Sequence, residues 1–386
     1  MILIRDSSCF LTRFARQKHS GQAKKMKIAL IHDMLVQEGG QERVLRALQE
    51  IFPNAPTFVL FYNQDKKQKF YKTKNIQTTF LQKMPGIEKK FQWYLPLMSS
   101  AIESHNLREF DLILSSSSSF AKGVITQPKT LHICYCHTPT RYLWSNSQEY
   151  IDDLLYPNFI KKILPLYLSY LRNWDWSASQ RVDKFLANSK TIKNRIKKYY
   201  NKDAQVIYPP VDTNKFYISE NLKNYYLIGG RLVPYKKFDL AVRAFNRLDI
   251  PLKIFGVGPE INRLQKIAKS NIEFLGEVSE AKKAELYSQC LAFINPQEED
   301  FGITVVEAMA SGRPVIAYSA GGTLETIKEG ETGEFFEDQT WENLANTIIH
   351  FQPEKYNSEK IKNHAEQFNK TRFKNEIRNF INDLIG

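Results

Sequence analysis

The sequence predicts an α/β protein with two domains, each a parallel sheet that carries helices on both faces. Three observations support this prediction. Short apolar segments typical of buried strands alternate with helical apolar spacing, first over residues 26–207 and again over residues 208–365. In both series the first strand leads to a pair of glycines. Between the series lies Pro209-Pro210, which can continue neither a helix nor a central strand.

The first domain is predicted to begin at Met26. Residues 27–32 form a candidate buried strand, polar residues lead to Gly39-Gly40, and residues 41–51 have helical apolar spacing. This strand, glycine loop and helix are typical of a Rossmann-like unit, whose sheet is doubly wound. Further strands are predicted at residues 57–60, 111–114, 131–136 and 184–187. The serine run at 115–119 follows one of these strands and is interpreted as a turn.

The second domain is predicted to contain another doubly wound sheet, with strands at residues 225–228, 253–255, 272–275, 291–294 and 315–317. Two such domains in tandem are expected to face each other across a cleft. Ligands of these sheets lie outside the carboxyl ends of the strands. Residues 366–386 are predicted to form a C-terminal helix that packs back towards the first domain.

The first 25 residues differ from the rest in carrying six basic residues against a single acid, Asp6. The apolar run near residues 9–11 is too short for a signal-peptide core, and no small-residue cleavage pattern follows it. We interpret this leader as a disordered tail or as sequence upstream of the true start, with a weak membrane contact as the alternative.

Charge is distributed unevenly along the 386 residues, whose formal net charge is +13. Residues 1–207 hold 32 Lys and Arg against 16 Asp and Glu, whereas the remainder holds 22 against 25. A basic half is expected to meet an anionic surface, either lipid or nucleic acid, although a lysine-rich solvated surface explains the same numbers. The four cysteines, at positions 9, 134, 136 and 290, match neither a disulfide framework nor a zinc site. This favours reduced thiols in a cytoplasmic protein.

The most specific motif is Glu298-Glu-Asp-Phe-Gly-Ile-Thr-Val-Val-Glu307, which follows a predicted strand and opens a helix near Gly302. The first turn of a helix presents unpaired N–H groups and a partial positive charge, which suit a diphosphate. A carboxylate accepts two hydroxyl hydrogen bonds at once, so Glu299 and Glu307 suit sugar hydroxyls on two parts of one ligand. Two solvated glutamates on an amphipathic helix are the simpler alternative, which the flanking glycines disfavour.

A second motif, Gly229-Gly-Arg-Leu-Val-Pro-Tyr-Lys236, follows the first strand of the second domain. Arg231 and Lys236 are two fixed cations that can neutralise a leaving diphosphate, Arg with a planar fork and Lys with a point charge. Taken alone, this motif is explained equally well by a basic surface loop.

With these motifs the chain resembles family 4 of the retaining glycosyltransferases, which have the GT-B fold, from about Met26 onward. The resemblance rests on Gly39-Gly40-x-Glu42, the Arg231 and Lys236 pair, and Glu299-x7-Glu307 with Phe301-Gly302. Asn188-Ser189 and Pro210-Val211-Asp212 near the domain crossover are also typical of the family.

The resemblance implies a role for each matching residue of the second domain. Arg231 and Lys236 would hold the diphosphate of a nucleotide-sugar. Glu307 would bind the ribose hydroxyls, and Glu299 would bind the hydroxyls of the donor sugar. Backbone groups along the next turn would help to hold sugar and phosphate, namely those of Phe301, Gly302, Ile303 and Thr304.

In the first domain, the resemblance implies that Gly39 and Gly40 let the N-terminal loop close over the phosphates. His137 lies just past the predicted strand 131–136 and matches a position that in relatives lies beside the transferred sugar and the acceptor. The catalytic set is therefore expected to be His137, Arg231, Lys236 and Glu299. His32 and Asp33 end the first strand and are weaker candidates for the cleft.

A closer resemblance, to bacterial O-antigen and capsule mannosyltransferases, rests on residues 32–36, 39–45, 93–97, 132–139 and 141–142. Those relatives commonly use GDP-mannose, which implies transfer of mannose to a lipid-linked saccharide in surface polysaccharide synthesis. Nothing in the residues independently identifies guanine, so UDP-sugars and rhamnose donors remain alternatives.

The implied mechanism is transfer with retained anomeric configuration through an oxocarbenium-like state. Arg231, Lys236 and the helix start near Gly302 would stabilise the departing diphosphate. No Asp-x-Asp motif occurs in the sequence, so no obligatory metal or other cofactor is expected. The alternatives are a GT-B epimerase or phosphorylase, a degenerate sugar-binding partner, and a non-catalytic nucleic-acid-binding protein, which the scattered basic residues disfavour.

Two segments, Lys89–Leu95 and Lys161–Leu168, mix cations with aromatic and aliphatic side chains and are candidate interfacial segments. With the basic half of the chain they predict peripheral contact with the anionic inner face of the cytoplasmic membrane. Each basic residue near such a surface contributes ~1 kcal/mol. An apolar core face with solvated lysines is the alternative.

Overall fold

The structure is a computed structural model that describes residues 26–71, 74–145 and 158–385. The leader at residues 1–25, with Cys9, lies outside the described residues, and so do the side chains of residues 69, 70, 158–160, 162 and 163. The chain divides into two compact units. Unit 1 ends at Ile207 and resumes at Lys374, and unit 2 runs from Tyr208 to Phe373.

Unit 1 contains a seven-stranded sheet in which every neighbouring pair is parallel. Its strands are β1 (Ile28–His32), β2 (Thr57–Val59), β3 (Ile76–Thr78), β4 (Leu112–Ser117), β5 (Leu131–Cys136), β6 (Lys184–Ala187) and β7 (Ala204–Val206). Their order in space is β3-β2-β1-β4-β5-β6-β7. The chain therefore builds the sheet outward from β1 in one direction and from β4 in the other. The point between β1 and β4 is the topological switch point, at which ligands of such sheets bind.

The five strands that the sequence predicts for unit 1 are present, and the structure adds β3 and β7 at the edges of the sheet. Each edge strand has three residues, and both are partly exposed. Neither strand therefore forms the continuous apolar run by which a buried parallel strand is recognised.

The predicted turn at residues 115–119 is wrong for its first three residues, because Ser115–Ser117 form the carboxyl half of β4. All three serines are buried. Small polar side chains are tolerated there because their hydroxyl groups find buried partners. Ser115 Oγ lies 2.8 Å from His132 Nε2, and Ser116 Oγ lies 2.8 Å from His137 Nε2.

Helices cover both faces of this sheet. They are α1 (Gly40–Ile51), α2 (Gln64–Tyr71), α3 (Ile87–Lys90), α4 (Leu95–Glu103), α5 (Arg141–Trp144), α6 (Asn158–Gln180) and α7 (Lys190–Tyr200), with 3-10 turns at Phe80–Lys83, Phe91–Tyr94 and Ala121–Gly123. Helix α1 buries Val44, Leu45 and Leu48 on its sheet-facing side. Helix α7 begins where Ser189 Oγ accepts a hydrogen bond from the Ile192 N–H at 3.1 Å, which assigns this serine an N-cap role.

Cys134 and Cys136 of β5 are buried in the core between the sheet and α7, and both thiols are free. Cys290 in unit 2 is also buried and free. Burial raises the pKa of Cys134 and of Cys290 to about 12, so neither thiol is a reactive nucleophile near neutral pH.

Unit 2 contains a six-stranded sheet, also parallel at every neighbouring pair. Its strands are β8 (Tyr226–Gly229), β9 (Leu252–Phe255), β10 (Ile272–Gly276), β11 (Phe293–Asn295), β12 (Val315–Tyr318) and β13 (Gly333–Phe336). Their order is β10-β9-β8-β11-β12-β13, so the switch point lies between β8 and β11. The five predicted strands are present, and the edge strand β13 is the one that the prediction lacks.

The helices of unit 2 are α8 (Phe238–Leu248), α9 (Ile261–Ile267), α10 (Glu280–Gln289), α11 (Ile303–Ala310), α12 (Thr323–Thr326), α13 (Trp341–His350) and α14 (Ser358–Glu366), with 3-10 turns at Thr213–Lys215, Pro234–Lys236 and Pro353–Lys355. The final helix, α15 (Lys370–Ile385), starts in unit 2, and its residues from Lys374 onward belong to unit 1. Lys374 Nζ lies 3.1 Å from a carboxylate oxygen of Glu50 in that unit.

Within the described part of the chain, no helix combines the length and the apolar character that crossing a membrane requires.

Candidate functional site

The two motifs of the second domain meet at the switch point of unit 2. Arg231 and Lys236 follow β8, Glu299 follows β11, and these two strands are neighbours in the sheet. Because all strands are parallel, the loops after β8 and β11 leave the same edge of the sheet. Residues separated by more than sixty positions in the chain are thereby brought together.

Lys236 and Glu299 are in direct contact. Lys236 Nζ lies 2.6 Å from Glu299 Oε1, and Gln297 Nε2 donates a hydrogen bond to the same oxygen at 2.7 Å. The side chains of Lys236 and Glu299 are 16% and 15% exposed, so the ion pair is partly desolvated. Arg231 is exposed, and its guanidinium donates to the Tyr235 hydroxyl at 3.0 Å. The two predicted cations, Arg231 and Lys236, therefore lie with Glu299 at one edge of the sheet.

Glycines let the backbone pack closely around these side chains. Gly256 has a φ of +118°, and a Cβ placed on it would lie 1.8 Å from the carbonyl oxygen of Gly230. Only glycine accommodates both the conformation and the contact. The loop after β9 thus supports the loop that carries Arg231.

Gly321 and Gly322, which follow β12, support the loop of Glu299 in the same way. The Gly322 N–H donates to the Glu299 carbonyl at 2.7 Å. A Cβ on Gly321 would lie 2.3 Å from that carbonyl oxygen. Sequence reasoning missed these two residues, although a glycine pair that begins four residues after the predicted strand 315–317 is the signal that would have found them.

The turn between Glu299 and α11 ends at Gly302 and leads into the first residues of the helix. Gly302 has φ +93° and ψ 60° and is the N-cap residue, so α11 begins with Ile303 and Thr304. Their N–H groups belong to the first helical turn, whose donors lack helical partners. The Phe301 side chain is 3% exposed and packs against Phe368. Phe301 therefore contributes a ring to the core, and only its backbone is available to a ligand.

Glu307 lies inside α11 and is 1% exposed. Lys283 Nζ lies 3.1 Å from its Oε1, and the Tyr287 hydroxyl donates to its Oε2 at 3.3 Å. Lys283 also lies 2.8 Å from Glu280 on the same helix, α10. A buried carboxylate requires a counter-charge of this kind, because desolvating a single ion is costly.

Sequence reasoning missed Lys283 and Tyr287. They are four residues apart and lie on the buried face of α10, beside Ala284 and Leu286. The available signal is a lysine on an otherwise apolar helix face, which indicates a buried anionic partner elsewhere in the chain.

In unit 1, Asp33 at the end of β1 fixes the loop after β4. Its carboxylate accepts hydrogen bonds from four consecutive backbone N–H groups at 2.6–3.0 Å and from one serine hydroxyl: the N–H groups of Ser118, Ser119, Phe120 and Ala121, and the hydroxyl of Ser118. The side chain is buried. Asp33 therefore has a loop-holding role, and its oxygens are occupied by these donors.

His137 lies directly after β5 and is 7% exposed. Its Nε2 is 2.8 Å from Ser116 Oγ, and Asn188 Nδ2 donates to its carbonyl oxygen at 2.9 Å. Burial lowers the pKa of His137 to about 3, so the imidazole is neutral at neutral pH. His32 is completely buried, and its Nδ1 lies 3.2 Å from the same Ser116 hydroxyl.

Gly39 and Gly40 lie at the start of α1, where Gly39 is the N-cap residue and Gly40 is the first helical residue. A Cβ on Gly39 would lie 3.3 Å from Oε2 of Glu42, which is itself buried. Eight of the predicted site residues thus lie in unit 2 and three, Gly39, Gly40 and His137, lie in unit 1. Across the described ranges, no group of three or more His, Cys, Asp or Glu side chains is arranged to hold a metal ion.

Two family models match adjacent parts of the chain. Residues 38–215 match Glycosyltransferase Family 4, and residues 211–368 match Glycosyl transferases group 1. Together the matched segments include the glycine loop, His137, the basic pair and both motif glutamates.

Several curated proteins are similar in sequence. An uncharacterized glycosyltransferase of Methanocaldococcus jannaschii is 32% identical over 45% of this chain and 50% of its own length. The alpha-1,3/1,6-mannosyltransferase ALG2 of Candida glabrata is 24% identical over 79% of this chain and 78% of its own. A GDP-mannose-dependent alpha-mannosyltransferase of Mycolicibacterium smegmatis is 39% identical over 27% and 28%. The chain thus spans about half the length of the archaeal relative and a smaller part of the mycobacterial one.

Among solved structures, Anabaena HepE in complex with UDP aligns with a TM-score of 0.70 at 18% identity, covering 93% of this chain and all of HepE. At this identity the likeness concerns the fold. Given the tandem family models and this likeness, the chain has the GT-B fold, and its two matched segments are similar to glycosyltransferases of family 4 and group 1.

Proposed function

We propose that this chain is a retaining mannosyltransferase that moves mannose from GDP-mannose to a lipid-linked saccharide acceptor in surface polysaccharide synthesis. The observation that carries the proposal is the cluster at the β8–β11 switch point. There the Lys236 ammonium and the Glu299 carboxylate lie 2.6 Å apart, beside the start of α11. A cation, a carboxylate and a helix N-terminus at one place suit the diphosphate and the sugar of a nucleotide-sugar.

Binding of the donor would draw on groups that already contact one another. Arg231 and Lys236 would hold the diphosphate, together with N–H groups of Ile303 and Thr304. The Glu299 oxygen that accepts from Lys236 and Gln297 would accept from a hydroxyl of the donor sugar. The Lys236–Glu299 contact therefore holds both side chains in place before the donor arrives.

Glu307 would bind the ribose hydroxyls. Each carboxylate oxygen has two lone pairs, and the structure assigns Lys283 to one oxygen and Tyr287 to the other. A ribose diol would donate its hydrogen bonds to the same carboxylate. Lys283 and Tyr287 would then fix the direction in which Glu307 presents its oxygens.

In the proposed reaction the bond between the sugar C1 and the diphosphate oxygen breaks, and its electron pair stays on the diphosphate. The acceptor hydroxyl oxygen bonds to C1 on the same face, and its proton passes to the departing phosphate. Arg231, Lys236 and the start of α11 stabilise the negative charge that develops on the leaving group, which is the main contribution that the chain makes to the rate.

The choice of GDP-mannose is supported by the mannosyltransferases among the relatives, one of which is named GDP-mannose-dependent. The alternative is a UDP-sugar donor, which is favoured by the fold likeness to a protein solved with UDP. Calorimetry with GDP, UDP and dTDP, on the wild type and on Glu307→Gln, separates the two. Tight GDP binding that the variant weakens at least tenfold is expected. A UDP preference would overturn the donor assignment, and absence of all nucleotide binding would overturn the enzyme proposal.

Transfer itself is tested with radiolabelled GDP-mannose and lipid-linked saccharide, with the anomeric configuration of the product determined by NMR. A product with the configuration of the donor supports the proposal. An epimerised nucleotide-sugar or a sugar phosphate in place of transfer would identify another activity of the same fold.

Membrane contact by unit 1 is a further part of this proposal. Four large apolar side chains near the two predicted interfacial segments are strongly exposed: Trp93 at 59%, Leu97 at 39%, Leu166 at 75% and Tyr170 at 62%. The two segments are in contact, because the Tyr167 hydroxyl donates to the Leu95 carbonyl at 3.1 Å. Their lysines include Lys89, Lys90 and Lys161, whereas the side chains of residues 162 and 163 lie outside the described ones.

Exposed aromatic and aliphatic groups beside lysines are typical of a surface that inserts at an anionic lipid interface. Co-sedimentation with vesicles tests this. Binding to anionic vesicles should exceed binding to zwitterionic vesicles, should weaken with salt, and should fall in Trp93→Ser and Leu166→Ser. Ile349→Ser, at a 64% exposed isoleucine of unit 2, is the matched control. An equal loss of vesicle binding in all three variants would refute the assignment of the membrane surface to unit 1.

A further inference from the structure

Four side chains of unit 1 form a buried line between the glycine loop and His137. Glu42 Oε1 lies 3.9 Å from His32 Nε2, His32 Nδ1 lies 3.2 Å from Ser116 Oγ, and Ser116 Oγ lies 2.8 Å from His137 Nε2. His32 and Ser116 are completely buried, Glu42 is 3% exposed and His137 is 7% exposed. These residues come from α1, β1, β4 and the loop after β5.

Ser116 stands between two imidazole rings, and its chemistry limits what they can do. A hydroxyl has one proton to donate and two lone pairs that accept. The two ring nitrogens that face Ser116 therefore cannot both be acceptors of its proton. If His32 Nδ1 accepts, then His137 Nε2 must donate to the serine oxygen. The proton positions of His32 and His137 are thus coupled through one atom.

Glu42 favours one of the two arrangements. A carboxylate 3.9 Å from His32 Nε2 attracts a proton on that nitrogen and repels a lone pair there. With its proton on Nε2 and a lone pair at Nδ1, His32 accepts a hydrogen bond from the Ser116 hydroxyl. The Ser116 oxygen in turn accepts a hydrogen bond from the Nε2–H group of His137. Because burial keeps His137 neutral, with a pKa of about 3, its Nδ1 is then left with a lone pair.

We propose that Ser116 is a positioning residue which, with His32 and Glu42 behind it, holds the His137 proton on Nε2 and leaves Nδ1 as an acceptor for a sugar hydroxyl. Its part in transfer rests on the proposed function, whereas the proton position does not. The glycine loop would be linked in this way to His137, since Glu42 lies in the first turn of α1, two residues after Gly40.

The neighbouring serine supplies a matched control. Ser115 is also completely buried in β4, and its Oγ lies 2.8 Å from His132 Nε2. Burial lowers the pKa of His132 to about 3 as well. The two serine–histidine contacts are therefore equal in length, burial and histidine charge, but only the contact of Ser116 leads to His137.

The first test is the proton position itself. In long-range proton–nitrogen NMR spectra of histidine-labelled protein, with His137 signals assigned by a His137→Gln variant, wild-type His137 should carry its proton on Nε2. Ser116→Ala should shift it to a mixture of tautomers, and Ser115→Ala should not. Glu42→Gln, which acts from the far end of the line, should also produce a mixture even if Ser116→Ala fails to fold. A proton on Nδ1 in the wild type, or an unchanged tautomer in Ser116→Ala or Glu42→Gln, would overturn the proposal.

The second test is kinetic. Ser116→Ala should lower kcat for mannosyl transfer about tenfold with less than a twofold change in donor KM, because binding persists while a reacting group is misplaced. Ser116→Thr, which restores the hydroxyl, should recover part of the loss, and Ser115→Ala should stay within about twofold of the wild type. Equal kcat losses in Ser115→Ala and Ser116→Ala would contradict the positioning role. If the wild type transfers no sugar, the proposed function fails while the NMR result still decides the proton position.

Discussion

Glu307 and Lys283 form a buried ion pair between α11 and α10. The carboxylate is 1% exposed, the ammonium-bearing side chain is 9% exposed, and the two atoms lie 3.1 Å apart. The Tyr287 hydroxyl adds a neutral hydrogen bond to the other carboxylate oxygen. A buried charge without a counter-charge costs several kcal/mol, so each partner fixes the position of the other.

We expect Lys283→Met to lower the free energy of unfolding by about 2 to 4 kcal/mol, because the buried Glu307 carboxylate then loses its cationic partner Lys283. The double variant Lys283→Met/Glu307→Gln should recover part of this loss, since the uncompensated charge is gone. Chemical denaturation measures both effects.

Lys282→Met provides the control for this experiment. Lys282 is 49% exposed and pairs with Glu285 at the surface of the same helix. Its replacement should change the free energy of unfolding by less than about 0.5 kcal/mol. If Lys283→Met and Lys282→Met lower the free energy of unfolding equally, the ion pair of Lys283 with Glu307 does not contribute to stability.

At the scale of elements, the accuracy with which the sequence predicts a strand depends on how apolar and how continuous the strand is. Strand β5, six consecutive buried residues, has the predicted bounds. Three of the four edge strands, β3, β7 and β13, escape prediction because each is short and interrupted by a polar residue or a glycine. The fourth edge strand, β10, is predicted because Ile272, Phe274 and Leu275 give it an apolar pattern. Strand β4 is predicted too short because its buried serines have the composition of a turn. Their burial is explained by partners that the sequence does not reveal, namely histidines for Ser115 and Ser116 and the Lys122 N–H for Ser117.

The candidate site divides in the same way. Motif residues such as Arg231 and Glu299 are recognisable because their neighbours in the sequence mark them. Lys283 and Gly321 carry only a weak signal in the sequence and Ser116 carries none, since the partners that define all three lie more than twenty residues away in the chain. Knowledge of which parallel strands are neighbours is what the sequence alone lacks.

The loop after β12 offers a test of how closely packed backbone supports Glu299. Gly321 and Gly330 both have φ +72°, but a Cβ on Gly321 would lie 2.3 Å from the Glu299 carbonyl oxygen, whereas a Cβ on Gly330 would meet nothing within 4 Å. Alanine substitutions at these two glycines therefore separate the cost of the left-handed backbone conformation from the cost of the clash with Glu299.

Gly330→Ala is expected to cost about 1 kcal/mol, the usual penalty of the left-handed region. Gly321→Ala should cost about 3 kcal/mol or more and weaken GDP binding about tenfold, because the loop of Glu299 must shift. Denaturation and calorimetry measure the two effects. If both alanine variants lose the same stability and bind GDP equally well, the close packing of Gly321 on the Glu299 carbonyl contributes neither to stability nor to GDP binding.

On the scale of the whole molecule, buried histidines are concentrated in unit 1. Burial lowers the pKa of His105 to about 4, and lowers the pKa of both His132 and His137 to about 3. In unit 2, burial also lowers the pKa of His364, which is held by a hydrogen bond to the Thr326 carbonyl. An unfolded histidine has a pKa of about 6.5 and takes up a proton well before these buried ones do.

Unit 1 is therefore expected to lose stability as the pH falls from about 6.5 towards about 3, because in that window the unfolded state binds more protons than the folded state. For His132 and His137 the expected loss between pH 7 and pH 5 is about 2 kcal/mol each. Hydrogen exchange measures it in each unit separately, as the free energy of global opening after correction for the pH dependence of intrinsic amide exchange, and a larger fall is expected in unit 1. His132→Gln should reduce the pH dependence of unit 1, whereas His364→Gln should leave it unchanged. An opening free energy of unit 1 that does not vary between pH 7 and pH 5 would show that the buried imidazoles take up protons without unfolding. It would also remove the basis for treating His137 as neutral during transfer.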